Sequence, residues 1–336
     1  MSVSYTSFSH QPLMNYKKEI SVVVPAFNEE EALPYLEPVI RKVMEDNNFD
    51  YEVIIVDDGS SDTTWNVVKQ LVANNPNIRG VRFQRNYGKA AALNEGFIAA
   101  RGRVVITMDA DLQDRPEEVP ELYRMVAKDG WDLVSGWKQN RKDPLSKTIP
   151  TQLYNWATRI MSGINLHDFN CGLKAYRYEV IKNIEVFGEM HRYIPILVKT
   201  AGFKKITEKK VRHVARKHGR TKYGLNRFIN GPLDLLSIVF VTRFSKKPMH
   251  FFGTLGLLSF LFGFGILLCL VISRFIWYGY GMTDRPVFYF ALLAVVIGVQ
   301  LFLTGFLAEL VSRNAPDRNT YLISEQIGQK NTNSKN

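Results

Sequence analysis

Three carboxylates, Asp109, Asp111 and Asp114, follow directly on the apolar run Val104–Met108 in VVITMDADLQD. Like charges this close repel, so a group of opposite sign must join them. An Asp-x-Asp pair in an extended segment puts both side chains on one side, where both can face one cation. Oxygen donors of this kind suit Mg2+ or Mn2+, which take few protein ligands and complete their shells with phosphate oxygens and water. A bare Asp-x-Asp is more often a solvated acidic loop. Its place at the end of a buried strand favours a metal–diphosphate site. Gln113 follows on the same alternation and adds a further oxygen donor, while Asp114 is placed to cap the helix opened by Pro116.

Two other stretches carry chemistry. In VDDGSSD, Asp57 and Asp58 end a strand and Gly59 allows a tight turn. Asp57 can accept hydrogen bonds from a nucleotide base, either the imino N–H of uracil or the N–H groups of guanine, and Asp62 is placed to cap the following helix. In QRNYGKAAALNEG, Gly88-Lys89 lacks the G-x-x-x-x-G-K-[ST] spacing, and Ala90 stands at the hydroxyl position, which argues against a P-loop ATPase. The segment is left to lay backbone against a ribose or diphosphate. No G-x-G-x-x-G follows the first strand, so a dinucleotide fold is disfavoured. H-E-x-x-H and G-x-S-x-G are absent, and the six histidines are read as surface or internally satisfied.

The elements that must position these groups alternate. ISVVVPAFN, YEVIIVDDGSSD, IRGVRFQ, RVVITMDAD and WDLVSGW read as strands; between them EEALPYLEPVIRKVMED, TTWNVVKQLVANN, GKAAALNEGFIAARG and PEEVPELYRMVAKDG read as helices, the first with acids in its opening turn. This is an α/β pattern, with right-handed crossovers and a mostly parallel sheet flanked by helices. Ligands of such sheets sit beyond the carboxyl ends of the strands. Pro25, Asp57–Asp58 and Asp109–Asp111 all fall there and should converge.

TIPTQLYNWATRIMSGIN sets Leu153, Trp156, Ile160 and Met161 on one helical face and Gln152, Asn155 and Arg159 on the other. It is either a surface helix packed on the domain or one lying in a membrane interface. Phe251–Ser273 and Pro286–Ala308 carry no charge, and a bilayer core needs about 20 helical residues, so both are expected to span a membrane. Arg243, Lys246, Lys247, Arg313 and Arg318 flank the outer ends of the pair, against Arg274 and Arg285 at the turn. That bias puts the large domain and both termini in the cytoplasm. Two cysteines agree with a reducing compartment. The first residues show no signal-peptide pattern and read as a flexible leader, and GQKNTNSKN as a polar tail. The net charge of +11 admits nucleic acid, anionic lipid or a phosphate-rich substrate.

VVPAFNEEEAL, EVIIVDDGSSDTT, RNYGKAAALNEGFIAARG, MDADLQDRPEEVP and LVSGWKQNR resemble the successive motifs of family 2 glycosyltransferases of the GT-A (nucleotide-diphospho-sugar transferase) fold. With DFNCGLKAYR, RKHGRTKYG and the two spans, the chain resembles polyprenyl-phosphate glycosyltransferases of the dolichyl-phosphate mannose synthase type, in the bacterial form with a two-helix membrane anchor. The likeness covers residues 20–322. The expected organisation is a leader (1–19), a catalytic domain (20–225), a juxtamembrane interfacial segment (226–247), two membrane helices within 248–312 and a tail (313–336). Pro25, Ala26, Glu29, Asp57 and Ala110 would line the nucleotide-sugar pocket, bordered by Gly88 and Lys89. Asp109, Asp111 and Gln113 would carry catalysis by holding Mg2+ or Mn2+ on the diphosphate. Lys138, Lys147, Arg216 and Lys222 would meet the lipid phosphate or the diphosphate.

Lys138 stands where family members commonly have Arg, which keeps the charge but loses the bidentate fork; Thr221 often is Ser. No Q-x-x-R-W occurs, which speaks against a processive polysaccharide synthase. The reaction implied is an inverting transfer of a sugar from a UDP- or GDP-sugar to a polyprenyl phosphate at the inner membrane. A phosphate monoester is already mostly ionised, with its second pKa near 6, so no dedicated base is needed. The basic stretch KKVRHVARKHGRTKYGLNRF then reads as a phosphate and anionic-surface contact, not a nucleic-acid patch, with Lys209 and Lys210 open to a purely solvated role. A glycolipid or polysaccharide acceptor, or an inactive membrane scaffold, is the alternative; the sugar, the base and homo-oligomerisation stay open.

Overall fold

The computed structural model describes residues 16–138, 152, 155–156, 158–188, 190–212, 248–276, 281, 283–313 and 323–327. Its contacts divide the chain into two units, Met1–Tyr223 with Asn319–Asn336, and Gly224–Arg318.

The first unit is built on an eight-stranded sheet. In chain order the strands are β1 (Lys18–Ala26), β2 (Tyr51–Asp57), β3 (Ile78–Phe83), β4 (Gly102–Thr107), β5 (Leu133–Trp137), β6 (Lys174–Arg177), β7 (Ile206–Lys210) and β8 (Ile323–Ile327). Their spatial order is β7-β5-β6-β4-β1-β2-β3-β8. The neighbours β4-β1-β2-β3 are all parallel, as is β5-β7, and β6 and β8 pair antiparallel. The helices between them are α1 (Leu33–Asp46), α2 (Thr64–Asn74), α3 (Lys89–Ala99) and α4 (Val119–Ala127), with the shorter α5 (Tyr178–Lys182) and α6 (Ile194–Thr200) later in the chain. β-branched residues on both faces of β1, β2 and β4 are wholly buried, among them Val22, Val23, Ile54, Val105 and Ile106. This is what a parallel strand covered by helices on both sides requires. From β1 the chain winds to one side through β2 and β3, and β4 lies on the other. The crevice between the carboxyl ends of β1 and β4 is therefore the topological switch point where such sheets bind ligands.

One local expectation is corrected. α1 begins at Leu33 with no acid in its first turn. The acids precede it: the Glu30 carboxylate accepts the Thr63 backbone N–H at 2.8 Å and the Thr63 hydroxyl, tying the β1–α1 loop to the start of α2. Asp62 accepts from the Thr64 N–H at 3.0 Å, as an acid before a helix should. The edge strand β8, which follows the second long helix in sequence, was not read from the sequence. It covers the edge of β3 with Gly80 opposite Ile327 and Arg82 opposite Glu325.

Among the described residues of 152–162, Gln152, Trp156 and Ile160 are exposed, while Asn155 and Thr158 are buried. Asn155 of the polar face turns inward, and Trp156 and Ile160 of the apolar face turn outward. That is the reverse of a surface helix packed by Trp156 and Ile160.

The second unit contains two long helices, α7 (Pro248–Ile276) and α8 (Pro286–Arg313). They pack antiparallel and close. A Cβ added to Gly256 would lie 2.6 Å from the Gly298 carbonyl oxygen, and one added to Gly263 would lie 2.6 Å from that of Ala291. The Ser259 hydroxyl donates across to the Ala294 carbonyl at 2.8 Å. Small residues at the seam are the means by which helices associate in lipid, where burial of apolar surface supplies no force. Leu258, Leu261, Phe262, Leu303 and Leu307 point outward and are exposed. Segments of 28 and 23 residues, Met249–Ile276 and Pro286–Ala308, are long and apolar enough to cross a bilayer.

Candidate functional site

β1 and β2 end side by side, Ala26 in register with Asp57, and β4 runs beside β1 with Thr107 opposite Val23. Pro25, Ala26, Asp57, Asp109, Ala110 and Asp111 thus lie at neighbouring strand ends, as the alternation of elements requires. Glu29 sits in the loop beyond β1, where its backbone N–H donates to the Thr64 hydroxyl at 2.9 Å.

The acidic segment differs from the extended form. β4 stops at Thr107 and the chain turns through Ala110 and Asp111. Leu112 has a positive φ of 60°, so Gln113 does not continue a uniform alternation. The Asp111 carboxylate instead accepts the Gln113 backbone N–H at 3.2 Å. Asp114 does not cap the turn at Pro116. Its Oδ2 accepts the Asp109 backbone N–H at 3.1 Å, and its Oδ1 pairs with the Lys138 ammonium at 2.8 Å. Asp114 closes the acidic turn on itself and anchors it to the end of β5.

Three lysines answer the question of what neutralises these acids. Lys89, at the start of α3, places its ammonium 2.5 Å from Asp109 Oδ1. Lys138 is buried against Asp114. Lys174 on β6 is buried and donates to the Cys171 carbonyl, close enough to act on Asp109 electrostatically. Burial pushes the Asp109 carboxyl up, but Lys89, Lys138 and Lys174 outweigh it and hold its pKa at about 2. Burial likewise opposes the charge on Lys138, and Asp114 more than offsets it, so Lys138 lies above the ordinary lysine range. Lys138, expected at a phosphate, is thus engaged with Asp114. Lys147, Arg216 and Lys222 lie outside the described residues. Lys209 pairs with Glu118, and Lys210 rests 5.2 Å from the Trp137 ring centre.

Gly172 comes right against the acid: a Cβ there would lie 2.5 Å from the Asp109 carboxyl carbon. The Gly172 carbonyl accepts the Thr107 hydroxyl at 2.7 Å, which fixes this approach.

Asp57 is wholly buried and accepts the Ser60 N–H at 3.0 Å. Its other oxygen has Arg82 Nε at 3.4 Å and no hydrogen bond among the described residues. Burial raises its pKa. Asp58 plays a different part. Its carboxylate accepts the backbone N–H groups of Tyr87 at 2.8 Å and Gly88 at 2.9 Å and the Asn86 amide at 3.0 Å. It therefore holds the loop that delivers Lys89. Gly59 makes this possible, with φ +67° and an added Cβ only 2.3 Å from the Arg85 backbone.

Sequence reasoning did not single out Lys174, Gly172 or the bracing role of Asp114. It also took every histidine to be exposed or satisfied. His191 is neither: its Nδ1 is buried without a hydrogen-bond partner among the described residues. No spacing signal marks it.

Among the described residues no three His, Cys, Asp or Glu side chains converge into a protein-only metal site. Asp109 and Asp111 offer two carboxylates in one turn, one of them held ionised by its surroundings. That donor set fits a cation that shares its shell with substrate oxygens and not one caged by protein.

Comparisons with known proteins accord with this geometry. The model of the family described as "Glycosyl transferase family 2" matches residues 21–185. The chain is 40% identical over 300 residues to a dodecaprenyl-phosphate galacturonate synthase of Rhizobium johnstonii, covering 88% of each chain. It is 34% identical over 322 residues to an undecaprenyl-phosphate 4-deoxy-4-formamido-L-arabinose transferase of Aeromonas hydrophila subsp. hydrophila, covering 95% of this chain and 97% of that one. Among solved structures, glucosyl-3-phosphoglycerate synthase from Mycobacterium tuberculosis, in complex with Mn2+, UDP-glucose and phosphoglyceric acid, aligns with a TM-score of 0.53 at 20% identity, over 70% of this chain and 85% of that one. The shared fold is GT-A.

Proposed function

Given that this chain belongs to glycosyl transferase family 2, we propose that it transfers a sugar from a UDP- or GDP-sugar to a polyprenyl phosphate. The observation that carries the reading is the acidic turn Asp109–Asp111 at the switch point of the sheet, held ionised by lysines, in a chain that also has two membrane-length helices. A water-soluble donor and a bilayer-bound acceptor call for that combination. Both relatives named above carry a polyprenyl phosphate in their names.

In the reaction a phosphate oxygen of the lipid bonds to the anomeric carbon as the bond from that carbon to the donor's β-phosphate oxygen breaks. The nucleoside diphosphate leaves and the configuration inverts. The acceptor phosphate is mostly ionised at neutral pH, so positioning replaces a general base. Asp109 and Asp111, with Gln113 from the same turn, would hold Mg2+ or Mn2+. The ion would neutralise charge growing on the departing diphosphate. Lys89 lies beside Asp109 and supplies positive charge at the same place. Pro25, Ala26, Glu29, Asp57, Ala110 and Gly88 form the nucleotide side, and Lys147, Arg216 and Lys222 the acceptor side.

We place the domain and both termini on the cytoplasmic side of the inner membrane. The flanking charges support this. So does β8, which pairs with β3 after the second long helix: a chain returning to the same sheet has crossed an even number of times. The outward-facing Trp156 and Ile160 support an interfacial role for that helix.

The test is product formation by the purified full-length protein in lipid nanodiscs, with polyprenyl phosphate, labelled UDP- and GDP-sugars one at a time, and Mg2+ or Mn2+. A polyprenyl-phosphate monosaccharide from one donor is expected. No product from any common donor would sink the reading.

A further inference from the structure

α8 has two faces set back to back by the turn of about 100° per residue. Ala291, Gly298 and Gly305 recur at every seventh position and face α7. Ala291 is wholly buried, and a Cβ added to Gly298 or Gly305 would lie 2.6 Å from the Phe260 backbone nitrogen or 2.9 Å from the Phe252 Cβ. The opposite face carries Leu293, Val296, Gln300, Leu303, Leu307 and Leu310, in alternating steps of three and four, and every one of them is exposed. Exposed leucines suit a surface that meets lipid. Gln300 does not. By the helical rise it lies about 12 Å from Ala308 and about 21 Å from Pro286, the two ends of the apolar segment, so it falls inside a hydrocarbon core about 30 Å thick. Its backbone carbonyl accepts the Thr304 hydroxyl at 2.8 Å, but its carboxamide has no hydrogen-bond partner among the described residues.

In hydrocarbon no water satisfies an unpaired amide, and polar side chains there hydrogen-bond across contacts with other helices. A carboxamide carries both N–H donors and a carbonyl acceptor, so a second carboxamide complements it. Steps of three and four residues keep one face of a helix against a parallel partner, and a polar residue at a single position of that face fixes the register. Every copy of this chain inserts with the same topology, so the α8 helices of two copies run parallel. Symmetric packing on this face then sets each Gln300 against its counterpart. A polyprenyl tail offers no group that pairs with an amide. We propose that this face of α8 docks on the same face of a second copy, with the two Gln300 amides paired inside the membrane. The proposal rests on the two spans and is independent of the glycosyl-transfer reading.

The test uses the full-length protein in membranes, with Cys269→Ser to remove the exposed thiol of α7; Cys171 is buried and stays. Leu293→Cys, Gln300→Cys and Leu307→Cys each place one thiol on the face. Phe302→Cys is the control, since Phe302 is exposed on another side of α8. On oxidation the three face positions should give disulfide-linked dimer several-fold more than Phe302→Cys. Association is then read by Förster transfer between terminally labelled copies in liposomes, as the protein is diluted with lipid. Gln300→Leu should weaken association about 3- to 30-fold, the range for one hydrogen bond between helices in a membrane. Gln300→Asn keeps an amide and should associate more tightly than Gln300→Leu. Three results overturn the proposal: cross-linking at Phe302→Cys equal to that on the face, association of Gln300→Leu equal to wild type, or a monomer at every dilution. A monomer would mean that lipid or another segment of this chain covers the face. Should Gln300→Leu fail to insert, the cross-linking pattern and the Gln300→Asn variant decide.

Discussion

Replacing Gly172 by Ala should separate activity from stability. The new methyl carbon would lie 2.5 Å from Asp109 Cγ and Oδ2 and 2.6 Å from Oδ1. Ordinary contact is about 3.5 Å, so the carboxylate must retreat by about 1 Å. Lys89 Nζ now sits 2.5 Å from Oδ1. A retreat away from Lys89 opens the gap to at most about 3.5 Å, the limit of hydrogen-bond range. Both side chains of that pair are about a third exposed, so its loss costs at most about 1 kcal/mol. The intruding atom meets the end of a side chain that can rotate, and the whole destabilisation should stay near 1–2 kcal/mol. Catalysis is less forgiving: a displacement of about 1 Å in a positioned group can cost roughly 100-fold. The assay is initial-rate transfer to polyprenyl phosphate alongside a thermal melt. Gly188→Ala is the control, since Gly188 has φ +54° and an added Cβ there meets nothing within 4 Å. It should lose about 1–2 kcal/mol from backbone strain and keep its rate. A Gly172→Ala enzyme with kcat/KM within about threefold of wild type would refute the reasoning that ties Asp109's position to turnover.

Asp111→Asn keeps the shape of the turn and removes a charge, so turnover should fall by at least about 100-fold while the melting temperature changes little; unchanged turnover would refute the metal assignment. The acid limb of the pH–rate profile should follow the acceptor. Asp109 stays ionised down to about pH 2, while the lipid phosphate, with its second pKa near 6, loses its reactive form as pH falls, and a more basic phosphonate acceptor should move the limb upward. A limb that does not move would assign it to Asp58, whose carboxyl is raised to about 6 by burial and by neighbouring Asp57, against the N–H groups of Tyr87 and Gly88. With a folded pKa above the unfolded value of about 3.9, Asp58 would also make the protein lose stability as pH rises from about 4 to about 6, a trend that Asp58→Asn should flatten in pH-dependent melts. Truncation after Arg318 removes β8 and bares the edge of β3; the remaining protein should melt lower and aggregate faster by light scattering.

The sequence alone determined the features that depend on local period and on end signals. Alternating apolar runs and helical stretches define a mostly parallel sheet, and Pro25, Asp57 and Asp109 fall at strand ends because each apolar run stops there. The two uncharged segments are legible because a bilayer imposes their length. Tertiary structure decided which charges meet. Lys89 and Asp109, Asp114 and Lys138, and Asp58 with the loop at Tyr87–Gly88 are partners set by strand order and crossover, and no spacing in the chain records them. The antiparallel strands β6 and β8 are short and partly polar, so they become strands only because a neighbour's unpaired edge is waiting. Leu112's left-handed turn bent an apparently extended acidic run, and His191 carries no motif. Periodicity reports which side of an element is buried; it is silent about what lies across the crevice, since that depends on elements folded in from far along the chain.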